Sequence, residues 1–280
     1  MKYIYPELSP TDFGLFRLGG AGLANNLFVA ARAFLLSKKY GQKMLRPTWE
    51  RIGVGQLMRG ERDKRVYAGL FRKESLFKSL HKLYVIKTAR FYDEFSAACD
   101  KDVKVSGLGR YYEDIISGYT DVRKWFYEAI NPNAVSKVPH TLGDCIAIHV
   151  RLGDYPPELR INLGWYIDVV KLISEHLRCA TRFLLFSDGS DEELGDLLSL
   201  DEVSRVSYGN ALADMVAISR CKALIGSDST FSGWGAYLGQ IPFVAKHFYP
   251  GNMLIKQEDY YIVNDPANLP ETFLEKILSC

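Results

Sequence analysis

The sequence lacks the features that put a chain in a membrane or build it around disulfides or metal. No apolar run reaches the length of about 18 residues that spans a bilayer. The opening Met1-Lys2-Tyr3-Ile4-Tyr5-Pro6-Glu7 has no apolar core of the signal-peptide kind, and no Asn-x-Ser/Thr sequon occurs. These absences read as a cytoplasmic protein. The five cysteines, Cys99, Cys145, Cys179, Cys221 and Cys280, are odd in number and form no Cys-x-x-Cys pair. Neither a disulfide framework nor a zinc cluster is suggested, and the thiols read as small buried hydrophobes. His81, His140, His176 and His247 are scattered without ligand spacing, so no metal is expected. A Gly-x-Ser-x-Gly elbow is missing, which argues against a hydrolase of that type. A net charge of +2 is too small to predict a nucleic-acid partner.

What is present is globular. Of 280 residues, 48% are hydrophobic and 24% charged, values that argue against disorder and allow one large or two small domains. The second half alternates short apolar runs with helical patterns. Strands are expected at 145–150, 183–186, 205–208, 223–226 and 242–245, and helices at 163–179, 191–200, 214–221, 231–238 and 270–278. In 163–179 the helical spacing is carried by Tyr166, Val169, Val170, Ile173 and Leu177. This alternation predicts a parallel sheet with crossover helices. Such sheets bind ligands beyond the carboxyl ends of their strands, so polar residues after Val150, Phe186 and Gly226 should converge. The first half opens with a strand at 13–18, a Gly-rich turn and a helix at 25–39; the stretch 40–138 is harder to read. The Pro/Asn-rich segment 131–140 marks the boundary, giving domains 1–138 and 139–280. Residues 59–90 form a basic block of ten Lys or Arg against three Asp or Glu. It reads first as a solvated surface, second as a site for an anionic acceptor or an acidic membrane.

Four segments carry chemistry. In His149-Val150-Arg151-Leu152-Gly153-Asp154-Tyr155, alternation puts His149 and Arg151 on one face of the strand end. A planar guanidinium there suits a diphosphate, and the alternative is an Arg151–Asp154 pair closing a turn. In Gly226-Ser227-Asp228-Ser229-Thr230-Phe231-Ser232 a strand runs into a helix whose N–H groups and hydroxyls suit phosphate. A cap needs one hydroxyl and this stretch has several, although Ser229 or Thr230 capping the helix is the alternative. Asp188, after the strand ending at Phe186, can accept two hydrogens from the edge of guanine or serve as a turn residue, while Asp191 reads as a helix cap. Gly19-Gly20-Ala21-Gly22 followed by Asn25 completes neither a Gly-x-Gly-x-x-Gly fingerprint nor a P-loop. Asn25 caps its helix or reaches into a cleft between domains.

Together these segments resemble the α-1,2-fucosyltransferase family, glycosyltransferase family 11, and more distantly the wider GDP-fucose transferases. His-Val-Arg-Arg-Gly-Asp-Tyr of that family is similar to 149–155, Gly-Gly-x-Gly-Asn-Gln-Leu-Phe to 20–28, Phe-Ser-Asp to 186–188, and Ser-Ser-Phe-Ser-Trp-Trp-Gly-Ala to 229–236. Asp214 followed by a helix ending at Cys221 completes the order. The resemblance implies an α/β fold of GT-B type, with two Rossmann-like domains facing across a cleft. It implies inverting, metal-independent transfer of L-fucose from GDP-fucose to a glycan hydroxyl, with no further cofactor. Arg151 would hold the diphosphate, His149 would lie beside the phosphates or the fucose, Asp188 would read guanine, and 227–232 would bind phosphate. Gly22 and Asn25 would meet the sugar or acceptor. Asp154 is the candidate base.

Leu152, Ala24, Asn26 and Gly233 stand where the family has Arg, Gly, Gln and Trp. They bear on the exact sugar and acceptor more than on the donor class. The expected partners are a GDP-sugar and an oligosaccharide acceptor, lipid-linked if the basic block meets a membrane, as in O-antigen synthesis. The rival readings are a transferase for another nucleotide sugar, such as a GDP-deoxy-sugar, a non-catalytic binding protein, and a structural partner in polysaccharide assembly.

Overall fold

The computed structural model describes residues 2–52, 66–73, 76–92, 101–153, 155–177, 181–247 and 251–278, with the backbone alone described at 76–80. The chain divides into two compact units, Met1–Ala134 and Val135–Cys280, against the expected boundary at 138/139.

The first unit is built on β1 (Tyr3–Pro6), which alternates Ile4 and Tyr5 to opposite faces. Ile4 packs with Ala33 of α1 (Leu23–Lys39), and Tyr5 packs with Val85 of α2 (Leu76–Thr88). Helices therefore cover both faces, as a parallel sheet requires. The sequence reading gave β1 no element. A small sheet forms from β2 (Thr11–Asp12), β3 (Arg17–Leu18) and β5 (Arg51–Ile52). The four-stranded sheet has the order β4-β1-β7-β6, with β4 (Lys43–Met44), β6 (Arg90–Phe91) and β7 (Val103–Val105) all parallel. The helix α3 (Tyr119–Ala129) follows.

The second unit is a six-stranded parallel sheet in the order β10-β9-β8-β11-β12-β13. Its strands are β8 (Leu142–Val150), β9 (Arg182–Ser187), β10 (Val203–Arg205), β11 (Cys221–Gly226), β12 (Phe243–Ala245) and β13 (Tyr260–Ile262). The chain winds outward from β8 through β9 to β10, then returns to β11 and winds the other way. That order is the doubly wound one, and its switch point lies between β8 and β11. Residues 145–150 are all buried because crossover helices cover the sheet. These include α4 (Leu163–His176), α5 (Gly195–Leu198), α6 (Ala211–Ile218), α7 (Thr230–Gly239) and α8 (Glu271–Leu278). Asn162, Asn210 and Ser229 cap α4, α6 and α7 through their side-chain oxygens.

Four expectations change. The strand at 13–18 is a hairpin: Thr11–Asp12 pairs antiparallel with Arg17–Leu18, and Asp12 accepts the N–H of Gly14 at 2.8 Å in the turn. Its apolar residues mimic a strand, yet Phe13 and Leu15 are 46% and 49% exposed. The helix at 191–200 shrinks to the single turn Gly195–Leu198. The strand at 205–208 lies upstream at Val203–Arg205, where pairing with β9 decides its register. The helix at 214–221 runs Ala211–Ile218, and Cys221 opens β11. Of the basic block, 59–65 and 74–75 lie outside the described residues. Lys82 within it is only 2% exposed, so the block is not a continuous solvated face.

Gly20 tests the turn before α1. It sits at φ +85°, and a Cβ there would lie 2.5 Å from Arg17 Nη1 and 2.6 Å from the Leu8 carbonyl. Gly19 is also left-handed, at φ +65°, but a Cβ there meets nothing within 4 Å. Gly20→Ala should therefore cost about 2–3 kcal/mol and Gly19→Ala about 1 kcal/mol, measured by urea unfolding.

Candidate functional site

The polar residues expected after β8, β9 and β11 do converge, at the switch point. Ser227, just past β11, accepts the N–H of Arg151 at 2.8 Å and donates its hydroxyl to the His149 carbonyl at 3.0 Å. Tyr166 on α4 completes the set at 2.9 Å. With its one hydrogen committed, Ser227 joins the strand ends and has no donor to spare for a ligand. Asp188, past β9, pairs with Arg151 at 2.5 Å through Oδ2 and accepts the N–H groups of Leu152 and Gly153 at 2.9 and 3.1 Å through Oδ1. It is thus the clamp of the 151–153 turn, and the pairing partner foreseen for Arg151 within its own turn, Asp154, lies outside the described residues. Gly153 makes room for this, because a Cβ there would overlap the Asp188 carboxylate. Leu152 is 6% exposed and belongs to the apolar core, and a Cβ on Gly189 would collide with it. An apolar residue at 152 fits that wall.

His149 is 5% exposed, and its Nδ1 lies 2.6 Å from Ser232 Oγ. Ser232 is fully buried and 3.2 Å from Ser229 Oγ, which also accepts the Ser232 N–H as the cap of α7. Ser229 and Ser232 therefore hold the helix start and orient His149, whose ring packs on Phe231 at 4.9 Å. Thr230 and Phe231 are half-buried in the first turn, whose N–H groups have no intrahelical carbonyl to bond. Burial pushes the His149 pKa down to about 4; Asp188 opposes this and Arg151 adds to it. The imidazole is neutral at pH 7, leaving Arg151, 24% exposed, as the positive charge of this strand end.

Two groups here escaped the sequence reading. His247, just past β12, lies 2.7 Å from Asp228 Oδ2 through Nδ1, and Tyr155 donates to the Asp228 carbonyl at 3.1 Å. A carboxylate beside an exposed imidazole is an arrangement that can serve in acid–base chemistry. No spacing could reveal it, because 19 positions separate the partners. Tyr166 is the second: its spacing in the sequence marks a core position of the helix and gives no sign of the contact with Ser227.

In the first unit, α1 starts at Leu23 with Gly22 as a cap that has no side chain. The Leu23 N–H is instead accepted by the Tyr67 hydroxyl at 2.9 Å, from the stretch that resisted reading. Asn25 does not cap: its Oδ1 is buried and has no hydrogen-bond partner among the described residues. Such an atom costs about 1–3 kcal/mol unless a ligand donor meets it. Asn26 turns inward and donates to the Ala21 carbonyl at 3.0 Å. Arg17, fully buried, braces the turn by donating to the carbonyls of Gly19 and Thr48 at 2.5 and 3.0 Å. Burial, and then the nearby Arg51, lower its pKa to about 10.

No protein-family model matches the chain. In sequence it is similar to the Escherichia coli O-antigen biosynthesis glycosyltransferase WbnK, 24% identical over an alignment of 267 positions that takes in 78% of this chain and 87% of that protein. In structure it is similar to the α-1,6-fucosyltransferase NodZ of Bradyrhizobium soaked with GDP-fucose, with a TM-score of 0.54, 14% identity, and 89% and 97% of the two chains covered. A mutant of Arabidopsis thaliana FUT1 in complex with GDP gives a TM-score of 0.51 at 14% identity, covering 92% of this chain and 73% of that one. The E. coli heptosyltransferase WaaC with ADP gives 0.50 at 10% identity, covering 99% and 100%. The fold is of the GT-B class. In sequence and in fold the chain is similar to glycosyltransferases, and among its described residues no helix is long and apolar enough to cross a membrane.

Two predictions follow from the geometry of this glycosyltransferase-like unit. As pH falls, the unfolded chain protonates His149 near 6.5 and the folded chain only near 4. Stability is therefore complete above about pH 6.5 and declines toward pH 4, by up to about 3 kcal/mol. Asp214 acts oppositely: burial raises it from 3.8 to about 6, so the folded state takes its proton first and stability rises over that window. Urea titrations of the wild type and His149→Asn at pH 7.5 and 4.5 separate the two, and the variant should lose the decline and keep the rise. Asp188→Ala frees both the guanidinium and the turn. Allowing for their partial exposure, it should cost about 2 kcal/mol by the same measurement.

Proposed function

We propose that the chain is an inverting, metal-independent transferase. It moves L-fucose from GDP-fucose to a glycan hydroxyl, the 2-OH of a galactoside, in an O-antigen or other surface polysaccharide. The observation that carries this reading is the placement of Arg151. Its guanidinium stands at the switch point, fixed through its own N–H by Ser227 and through its side chain by Asp188, beside the capped start of α7. Diphosphates bind at such a point, where a helix N-terminus and a forked cation act together. The motif resemblance adds the guanosine nucleotide and fucose, and the likeness to WbnK adds the polysaccharide.

In this mechanism the glycosidic bond breaks early and the sugar takes on oxocarbenium character. Negative charge growing on the leaving diphosphate is met by Arg151 and by the N–H groups at the start of α7, Thr230 among them. Neutral His149 adds no competing charge and supports the loop through Ser232. Asn25 offers its buried Oδ1 to a sugar hydroxyl. Asp154 is the proposed base that takes the acceptor proton; the His247–Asp228 pair is the second candidate, because it alone combines an exposed imidazole with an orienting carboxylate in the described second unit.

The test is turnover of GDP-fucose with a β-galactoside acceptor, with the product linkage read by NMR. Arg151→Lys should lower kcat/KM by about 10²-fold or more, because an ammonium cannot copy the bidentate fork. Asp154→Asn and His247→Gln separate the bases: the variant of the true base loses about 10²–10⁴ in turnover. Unchanged kcat/KM in Arg151→Lys would refute the assignment of the diphosphate to this residue.

A further inference from the structure

A groove of about 1210 Å³ runs along β4 in the first unit, between α1, α3 and the residues Arg72 and Lys73. That exceeds the roughly 300–1,000 Å³ of ordinary small-molecule sites. Strand β4 is an edge of its sheet. Lys43 and Leu45 donate inward to β1, so the N–H of Met44 between them points away from the sheet, along the groove. Two half-buried aromatic surfaces face the groove: Trp125 of α3, stacked on Phe34 at 5.6 Å, and Tyr3, edge-on to His81 at 4.7 Å.

The charge in this groove is one-sided. Lys43, Arg46, Arg72 and Lys73 line it. Arg46 pairs with Glu50 at 3.2 Å, but Lys43, Arg72 and Lys73 have no ion pair among the described residues. Glu128, the one lining acid among the described residues, already lies 4.0 Å from Lys124. A second depression of about 650 Å³ shares Arg72 and Glu128 and continues past Tyr119, Arg123 and Tyr127. Flat aromatic rings, outward strand-edge groups and unneutralised cations thus repeat along one trough.

We propose that this trough binds an anionic oligosaccharide, the acidic sugar chain of the acceptor, separately from the nucleotide site of the second unit. The aromatic rings take the C–H faces of sugar rings, the strand edge meets hydroxyls, and Lys43, Arg72 and Lys73 meet carboxylates or phosphates spaced along the chain. The identity of the saccharide as acceptor rests on the reading of the protein as a glycosyltransferase; the groove's preference for an anionic sugar chain does not. Aromatic and basic surfaces also suit single-stranded nucleic acid. The net charge of only +2 favours the saccharide.

The test uses the full chain, with hexagalacturonate, maltohexaose and an oligothymidylate as probes, binding read by tryptophan fluorescence and calorimetry. Hexagalacturonate should bind at least about tenfold tighter than neutral maltohexaose and weaken as salt rises. The double variant Arg72→Glu/Lys73→Glu, at exposed positions that leave the core intact, should lose about tenfold in hexagalacturonate affinity. Its affinity for GDP should not change, which also confirms folding. Equal binding of the neutral and acidic sugars, binding of the oligothymidylate alone, or an unchanged double variant would each overturn the proposal. If hexagalacturonate binds as stated while GDP does not, the groove survives and the donor reading fails.

Discussion

The hydroxyl of Ser227 joins the two strand ends on which the second unit's site depends. It takes a hydrogen from the backbone of Arg151, gives one to the carbonyl of His149, and is met by Tyr166 from the covering helix. Three elements that are distant in sequence meet at one oxygen atom. Around it, Asp188 fixes the far side of the 151–153 turn, and Ser232 fixes His149. Arg151 and the start of α7 are thereby set before a ligand arrives, so no binding free energy goes into ordering them. Much of the polar richness of the 227–232 loop serves this positioning.

The first unit solves a comparable problem with different means. Its Gly-rich turn has no side chain to cap α1, so Tyr67 caps the helix from a distance and Arg17 holds the turn's carbonyl from beneath. Burying a guanidinium is costly, and here the lowered pKa of Arg17 marks that cost. Asn25, freed from capping, is left with an acceptor that no described residue meets.

The doubly wound sheet was legible because buried parallel strands are continuous apolar runs and their helices are amphipathic. The run at 145–150 and the spacing of Tyr166, Val169 and Val170 sufficed. Convergence of Arg151, Asp188 and Ser227 followed from where ligands sit in such sheets. The division of labour among them was not legible: whether a carboxylate faces guanine or an arginine is decided by side-chain geometry across strands. The same holds for His247 and Asp228, and for Tyr67 at the start of α1. The hairpin at Thr11–Leu18 misled because Phe13, Leu15 and Phe16 are apolar yet exposed, and periodicity presumes burial.

We propose that the switch point of the second unit is a guanosine diphospho-sugar site that works without metal. Calorimetric titration of the protein in EDTA with GDP, GDP-fucose and UDP-glucose tests it directly. The account predicts binding of both guanine ligands and none of UDP-glucose. No heat from the guanine ligands, or a preference for UDP-glucose, would contradict it.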